Sequence, residues 1–194
     1  MNTLSIRAYI EQYYPHYYQW NRYPVAECLT FNKVAGEWGV FSNFYSTPIC
    51  VDDVVFKNVE QLYQMMKFRD INALQTIYQA SRQNIKLQSK HFQRAGLCRD
   101  DWGMMIIDSL KFCLQMKYDQ CEQFRNMLQK SVGFYIVEDE SCRKLDTWGA
   151  ALNGDFYEGS NLMGRLLMEL RDNGRLTYTL PPDALDFITA IRPL

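Results

Sequence analysis

The first part of the chain combines helical spacing with a high density of aromatic residues. Ile6, Tyr9, Ile10 and Tyr13 recur at the spacing of one helix face, which predicts a short helix near the N-terminus. We expect residues 1–28 to form an aromatic-rich extension that packs on the rest of the protein. Stacking of nucleobases on exposed tyrosines is the alternative, but no residue pattern selects it.

Residues 29–56 change to the pattern of short strands, because β-branched and aromatic residues occur in brief runs that turn-forming residues interrupt. Strands are predicted at residues 29–31, 38–41, 48–51 and 54–56. Asp52 and Asp53 separate the last two runs and favour a tight turn. These two strands are therefore expected to pair as a hairpin.

The remainder of the chain returns mostly to helical spacing. Residues 71–130 predict helices, with breaks near Gly96 and at Asp100 and Asp101. Further along, the pattern predicts a strand over 133–138, a helix over 160–174 and a short strand over 176–180. No repeat or linker marks a second domain. We therefore predict an α+β fold, a mostly helical single domain with a small β-sheet, in which the N-terminal extension precedes residues 29–194.

The helix predicted after Asn58 places an acid and an amine on one stripe. Successive helical residues turn by about 100°, so Glu60, Gln64 and Lys67 fall within a sector of roughly 60°. Asn58 suits the N-cap, and Gln61 stands three residues later, as in a capping box. Such a pair beside aromatic residues could form an active site. It could equally be a surface ion pair.

Composition narrows the possible functions. The 194 residues, 47% of them hydrophobic, are typical of one globular domain. No apolar run reaches the length of a membrane span, and the N-terminus lacks the features of a signal peptide. The six cysteines contain no CxxC pair, which favours a reduced cytoplasmic or nuclear chain. With two histidines in the sequence, we expect neither a metal site nor a cofactor.

The net charge of −1 hides an asymmetry. Residues 71–99 carry +5 and contain no acid, which leaves −6 for the rest of the chain. Four of the basic residues, Arg82, Lys86, Lys90 and Arg94, recur every fourth position and would align along a helix. They form either a solvated helix face or a platform for the phosphates of a nucleotide or nucleic acid.

Three further segments could contribute to a binding site. Asp146 and Trp148 follow a predicted strand, where an acid can bind hydroxyls and an indole can stack on a ring. Small and polar residues at 159–164 open a helix, whose free N–H groups would form a phosphate site. Gly164 within that helix costs about 1 kcal/mol relative to alanine, so either a ligand or another helix is expected to approach it. Asn43 could read the edge of a base or cap a local turn.

Five motifs follow one another along residues 29–172. They are Gly-x-Trp-Gly-x-Phe-Ser-Asn-Phe at 36–44, Val-Glu-Gln-x-Tyr-Gln-x-Met-Lys-Phe at 59–68, Asp-Trp at 101–102, Asp-x-Trp-Gly at 146–149 and Gly-x-Asn-x-x-Gly-x-x-Leu-Met-x-x-Arg at 159–171. Their order resembles the NADAR family, also called YbiA-like. The resemblance implies a compact α+β fold and a hydrolase that cleaves N-glycosidic bonds. Known activities of the family are removal of ADP-ribose from modified guanine, a form of DNA repair, and hydrolysis of phosphorylated riboflavin-pathway intermediates.

The resemblance also implies site residues. It assigns catalytic positions to Glu60, Lys67, Trp102 and Asp146. We expect substrate-binding positions at Asn43, Phe44, Trp38, Gln64, Trp148, Gly159, Ser160, Asn161 and Gly164. The acid in the family usually stands three residues before the tryptophan of its Trp-Gly pair, whereas Asp146 stands two residues before it. Residues 150–157 also replace the usual glycine-rich link.

These positions lead to a mechanistic hypothesis. Lys67 would capture the ring-opened sugar as a Schiff base or act electrostatically, and Glu60 would transfer protons. Asp146 would hold sugar hydroxyls or act as a second acid. The base would stack on three aromatic side chains, Phe44, Trp102 and Trp148.

The expected partner is an ADP-ribosylated guanine nucleotide or nucleic acid, which the basic stretch favours. The alternatives are a phosphorylated riboflavin-pathway intermediate, a module that binds ADP-ribose or NAD without cleaving it, and a structural domain.

Overall fold

The computed structural model describes residues 6–142 and 147–192, and Asp146 lies outside these ranges. The chain divides into two compact units. The first unit comprises Met1–Ser42 and Glu122–Leu176, and the second comprises Asn43–Cys121 and Thr177–Leu194.

Helices account for more of the structure than strands do. The described residues contain eight α-helices, α1 (Ile6–Tyr13), α2 (Val59–Met65), α3 (Ile71–Gln79), α4 (Ile85–Arg94), α5 (Trp102–Gln120), α6 (Glu122–Lys130), α7 (Leu162–Asn173) and α8 (Phe187–Ile191). The strands in the same residues are β1 (Asn21–Pro24), β2 (Cys28–Phe31), β3 (Ile49–Val51), β4 (Val54–Phe56), β5 (Tyr135–Glu138), β6 (Ala151–Asn153) and β7 (Phe156–Gly159).

The first unit contains two small sheets. Strand β7 lies between β1 and β6 and pairs antiparallel with both, so that Tyr157 faces Tyr23 across the β1 ladder. Strands β2 and β5 pair in parallel, with Leu29 opposite Ile136. Helix α7 packs against β5. The N-terminal segment contacts the same helix, because the Tyr17 hydroxyl donates a hydrogen bond to Glu169 at 2.8 Å.

The second unit surrounds helix α2 with other helices. Helices α3, α4 and α5 all contact α2, and α8 packs against α3. Strands β3 and β4 form a hairpin whose turn residues Asp52 and Asp53 have φ angles of 48° and 65°. Positive φ at both central residues is the mark of a type I′ turn, which matches the twist of paired strands. Leu62, Met65 and Met66 are fully buried and form part of the core of this unit.

Most of the predicted elements are present. The α+β, mostly helical class is confirmed, and the β structure is divided among three small sheets of the described residues. The N-terminal helix, the strand at 29–31, the hairpin, the helices of 71–130 and the helix that ends at Gly174 are all confirmed. The domain boundary predicted at residue 28 stays a prediction.

Two predicted strands are wrong. Residues 39–41 form one turn of 3-10 helix, because the chain folds back so tightly that a Cβ on Gly39 would lie 2.1 Å from the Val34 carbonyl oxygen. Residues 176–180 form no strand. That segment is instead held by side chains of α5, as when Lys111 Nζ donates to the Thr177 carbonyl at 3.0 Å. Strands β1, β6 and β7 and helix α8 were not predicted.

Candidate active site

Helix α2 begins where its sequence predicts. The Asn58 side chain accepts a hydrogen bond from Gln61 N at 3.0 Å, which confirms the predicted N-cap. Gln61 Oε1 accepts from the backbone of Lys57 at 2.7 Å, one residue earlier than a capping box requires. The amide group of Gln61 donates to the carbonyls of Ile77 and Tyr78 in α3. The start of α2 is therefore fixed both locally and by its neighbour.

All residues of α2 are buried, including the polar ones. The exposed fraction is 5% for Glu60 and 8% for Lys67, so the alternative interpretation of these residues as a surface ion pair is wrong. Burial of charged groups without compensation is costly, and such groups are normally paired or shift their pKa.

A chain of hydrogen bonds orients the Glu60 carboxylate. The Ser89 hydroxyl of α4 donates to Gln64 Oε1 at 2.5 Å, and Gln64 Nε2 donates to Glu60 Oε1 at 2.8 Å. The backbone N–H of Glu60 donates to the Asn43 carbonyl at 3.0 Å. Because α2 and α4 both hold this chain of hydrogen bonds, Glu60 is kept in one orientation, and no described residue forms a hydrogen bond with its second carboxylate oxygen.

Lys67 lies just beyond the end of α2 and faces two aromatic rings. Its Nζ is 5.5 Å from the ring centre of Tyr63 and 5.4 Å from that of Trp102. The two rings meet edge to face, with centres 5.4 Å apart. Within residues 6–142 and 147–192, no hydrogen bond or ion pair holds this nitrogen. When charged, it is compensated by cation–π attraction to these rings and by the negative charge of Glu60.

The surroundings of Lys67 favour its neutral form. Burial lowers the pKa of Lys67 from 10.5 to about 8, although the negative charge of Glu60 opposes this shift. The positive charges of Lys86 and Lys90 lower the pKa further, whereas Cys98 raises it. With this pKa, about one molecule in ten carries a neutral amine at pH 7. A neutral amine is the form that can attack a carbonyl carbon.

Asn43 and Phe44 are held against the start of α2. The Asn58 side chain donates to the Phe44 carbonyl at 3.2 Å, and Lys86 Nζ lies 5.9 Å from the Phe44 ring centre. Asn43 Oδ1 is buried and has no hydrogen-bond partner in the described part of the chain. The second unit thus contains six predicted site residues, which lie on or near α2: Asn43, Phe44, Glu60, Gln64, Lys67 and Trp102.

The basic residues are only partly arranged as predicted. Lys86, Lys90 and Arg94 lie on α4 and are exposed, but Arg82 precedes the helix. Arg99 does not belong to an exposed basic surface, because its side chain is 2% exposed and forms ion pairs with two aspartates.

The other predicted site residues lie in the first unit. Trp38 stacks on Phe41, with ring centres 5.6 Å apart. Asn161 is fully buried, and its φ angle is 44°. Its Nδ2 donates to the Ile136 carbonyl at 2.8 Å, and its Oδ1 accepts from the backbone N–H of Glu138 at 3.1 Å. The side chain of Asn161 therefore joins α7 to β5.

Gly164 is needed for the same junction. A Cβ at this position would lie 2.0 Å from the Ile136 carbonyl oxygen. The backbone of strand β5, rather than another helix, makes this close approach.

The prediction of free N–H groups at the start of α7 is wrong. Backbone carbonyls of the preceding loop accept these hydrogen bonds, from Asn161 to Gly149 at 2.9 Å, from Leu162 to Thr147 at 3.3 Å and from Met163 to Trp148 at 2.9 Å. The amides are occupied because residues 147–149 fold back over the helix end. Substrate contacts by Trp148, Gly159, Ser160, Asn161 and Gly164 stay predictions, and Asp146 lies outside the described residues.

Two residues of the site were not identified from the sequence. Ser89 reaches Gln64 across 25 positions, and only the packing of α4 on α2 brings them together. Tyr63 stands four residues before Lys67, a spacing that places two side chains on one helix face and could have indicated their contact.

The described residues lack both a metal-binding cluster and a membrane-spanning helix. They contain no group of three or more His, Cys, Asp or Glu side chains that could hold a metal ion. None of their helices combines the length and apolar character needed to cross a membrane.

Comparison with known proteins identifies relatives of this chain. The model of the NADAR domain matches residues 30–175. N-glycosidase YbiA of Escherichia coli (strain K12) is 27% identical over 144 residues, which cover 74% of this chain and 86% of that protein. Riboflavin biosynthesis protein PYRR, chloroplastic, of Zea mays is 28% identical over 170 residues, 80% of this chain and 26% of that protein.

A solved structure is also similar. The NMR structure of the E. coli protein YbiA matches with a TM-score of 0.63 and 26% identity, covering 75% of this chain and 83% of that chain.

Proposed function

This chain belongs to the NADAR domain family, and from that membership we propose that it is an N-glycosidase that removes ADP-ribose from modified guanine in nucleotides or nucleic acid. Relatives that match most of its length are named N-glycosidases. The observation that carries the proposal is the buried Lys67 amine, which faces Tyr63 and Trp102 and has a pKa lowered to about 8. It lies in the same cluster as an oriented carboxylate, Glu60.

The proposed chemistry starts from the N-glycosidic bond between ribose C1 and a guanine nitrogen. The bond between C1 and the ring oxygen breaks, the oxygen keeps the electron pair and takes a proton, and the lone pair of the guanine nitrogen leaves C1 as an iminium carbon. The neutral Lys67 amine then forms a C–N bond to C1. The C1 bond to the guanine nitrogen then breaks, and its electron pair leaves with the base, which takes a proton. Water later adds to the lysine Schiff base and releases the sugar as an aldehyde, so that no oxidant or reductant is required.

Each of the neighbouring side chains has a role in this scheme. Glu60 would carry the proton from the attacking amine to the departing base, since Gln64 orients one of its oxygens and leaves the other available. The rings of Tyr63 and Trp102 would stabilise the cationic Schiff base through their faces. The buried Asn43 Oδ1 would accept a hydrogen bond from the edge of the base. Asp146 is proposed to hold sugar hydroxyls on the family resemblance alone.

A second candidate substrate is a phosphorylated intermediate of riboflavin biosynthesis. The name of the maize relative favours it. The exposed lysines of α4, whose positive charges act on Lys67, suit a phosphorylated substrate of either kind. Recognition of a longer nucleic acid would use more of this helix, up to Arg94.

The proposal is tested by product release. The protein is incubated with a guanine-modified oligonucleotide, with the modified mononucleotide and with a free phosphoribosyl compound, and the released sugar is measured. Release of ADP-ribose from either guanine substrate supports the proposal. Turnover of the phosphoribosyl compound alone would replace it by the riboflavin-pathway alternative, and binding without any turnover would leave a binding module.

The lysine role needs its own measurement. Borohydride added during turnover reduces a Schiff base to a stable amine, so we expect a covalent adduct that peptide mapping locates at Lys67. Lys117→Met is the matched control, because Lys117 is also a fully buried lysine of the same unit, with a pKa lowered to about 7. This variant should still be trapped. Absence of an adduct in the active wild-type protein would exclude the Schiff base.

A further inference from the structure

The C-terminal part of the second unit lies beyond the residues that the NADAR model matches. We name residues 177–192 the C-terminal strap. Lys111 Nζ of α5 donates to the Thr177 carbonyl at 3.0 Å, and the Tyr178 ring meets the Phe112 ring at 5.8 Å. The strap continues past Asp183 into α8, which packs against α3. It therefore crosses the same helices that surround α2.

Asp183 of the strap takes part in a cluster of four charged side chains, Arg69, Arg99, Asp101 and Asp183, which we name the Arg–Asp cluster. Arg99 donates to Asp101 through Nε at 2.6 Å and Nη2 at 2.8 Å, and to Asp183 Oδ1 at 2.9 Å. Arg69 Nη2 contacts Asp183 Oδ2 at 2.5 Å and lies 3.6 Å from Asp101 Oδ2. Each aspartate thus interacts with both arginines, and the buried Arg99 is held from two sides.

This cluster joins the two segments that carry Lys67 and Trp102. Arg69 stands two residues after Lys67, and the backbone N–H of Arg99 donates to the Lys67 carbonyl at 2.9 Å. Asp101 directly precedes Trp102, whose ring faces Lys67 Nζ at 5.4 Å. The contact between the amine and the indole therefore depends on how closely these two segments are held.

We propose that Asp183 is a positioning residue, which acts through Arg99 and Arg69 to keep Lys67 against Trp102 and away from water. The proposal rests on the role of Lys67 in the proposed function. Without the Asp183 carboxylate, the buried Arg99 guanidinium would keep only one carboxylate partner, and a buried charge that loses a partner draws in water or moves. Hydration of the segment after Lys67 would follow.

Loss of Asp183 should be visible in the titration of Lys67. The charges that shift this lysine most are Glu60 of α2, Lys86 and Lys90 of α4 and Cys98 before α5. Asp183 is not among them, so its removal acts through packing. Since burial is what lowers the pKa of Lys67, the entry of water should raise it.

The experiment compares Asp183→Asn with Asp186→Asn. Asp186 stands three residues further along, and its side chain neither caps α8 nor forms an ion pair with another described residue. Lys67 is titrated by NMR in protein with isotope-labelled lysine, and its resonance is assigned from its absence in Lys67→Met. In Asp183→Asn we expect a Lys67 pKa higher by about 1 and a kcat about tenfold lower, with a smaller change in KM.

Further variants make the outcome decisive. Asp186→Asn should titrate like the wild type, and Asp183→Glu, which keeps a carboxylate, should recover most of the loss. If Asp183→Asn does not fold, Arg69→Gln serves instead, because Arg69 is exposed and its loss should raise the Lys67 pKa by a smaller amount. A wild-type titration in Asp183→Asn or Arg69→Gln, or an equal shift in Asp186→Asn, would overturn the inference. Because NMR needs no turnover, this result is independent of whether the proposed function survives.

Discussion

Two regions of this protein carry polar residues that the sequence marks as functional, and the structure uses them in opposite ways. At the start of α7, the Asn161 side chain forms hydrogen bonds with the backbone of Ile136 and Glu138 in β5. At the end of α2, the Lys67 amine finds no hydrogen-bond or ion-pair partner among the described residues. Asn161 is thus satisfied by its own fold, whereas Lys67 is available to a ligand.

The comparison teaches which buried polar groups are candidates for chemistry. A buried group whose hydrogen bonds are complete stabilises the fold. When it is removed, its partners stay buried without a hydrogen bond, and the protein becomes less stable. A buried ammonium group without a hydrogen bond lowers the stability of the protein when it is charged. Such a group is therefore a candidate for a functional role. Loss of the first should reduce stability, and loss of the second should reduce activity.

The largest expected effect is on activity at Lys67. Lys67→Met should lower kcat by about a thousandfold or more, because it removes the proposed nucleophile, while the fold should remain intact. Release of ADP-ribose and circular dichroism measure the two outcomes. Lys130→Met, which changes an exposed lysine of α6, should retain most of the activity. Equal losses in the two variants would remove the distinction on which this comparison depends.

The next largest effect is on stability at Asn161. Asn161→Ala should lower the free energy of unfolding by about 3 kcal/mol, because two buried backbone groups lose their partner. Urea denaturation measures the change. The control is Asn153→Ala, where an exposed side chain donates to Glu158 at 3.0 Å and should contribute little. If Asn161→Ala were as stable as the wild type but inactive, Asn161 would belong with Lys67 rather than with the fold.

The smallest effect is the cost to stability of the Lys67 charge. Its pKa of about 8 in the folded protein lies below 10.5, so the unfolded chain binds the proton more tightly. The free energy of unfolding contributed by this group should therefore rise with pH between about 8 and about 10.5, and the full penalty should apply below pH 8. Lys67→Met should therefore stabilise the protein by at most about 3 kcal/mol at pH 7.

Urea denaturation of the wild type and Lys67→Met at several pH values measures this cost, with Lys130→Met as the exposed control. The advantage of Lys67→Met should shrink as the pH rises. An advantage that stays constant with pH would mean that packing of the methionine, and not removal of the charge, causes it.

The sequence predicts best where a local interaction decides the structure. The cap at Asn58 and the turn at Asp52 and Asp53 involve neighbours in the chain, and the structure confirms both. The stripe of Glu60 and Gln64 follows from helix geometry alone, and the hydrogen bond between them bears it out. Resemblance to a family then supplied the significance of these residues, which spacing could not.

The sequence predicts poorly where distant parts of the chain meet. Nothing local indicates that Ser89 orients Gln64, or that Arg99 is buried in ion pairs with Asp101 and Asp183. The expectation of free N–H groups at the start of α7 was wrong for the same reason, because they donate to carbonyls at residues 147–149, in a loop with no signature of its own. Hydrogen bonds and ion pairs between such distant segments can be recognised only in the folded structure.

Under the proposed function, the buried oxygen of Asn43 has a consequence for the choice of nucleobase. Folding buries this oxygen, and no described residue donates a hydrogen bond to it, so a ligand that supplies an N–H group would form the bond with little further desolvation of the protein. A ring that presents a lone pair at the same place would repel the oxygen. Selectivity of this kind comes mainly from rejection of the wrong base, because a mismatched edge leaves two acceptors facing each other in a dry site.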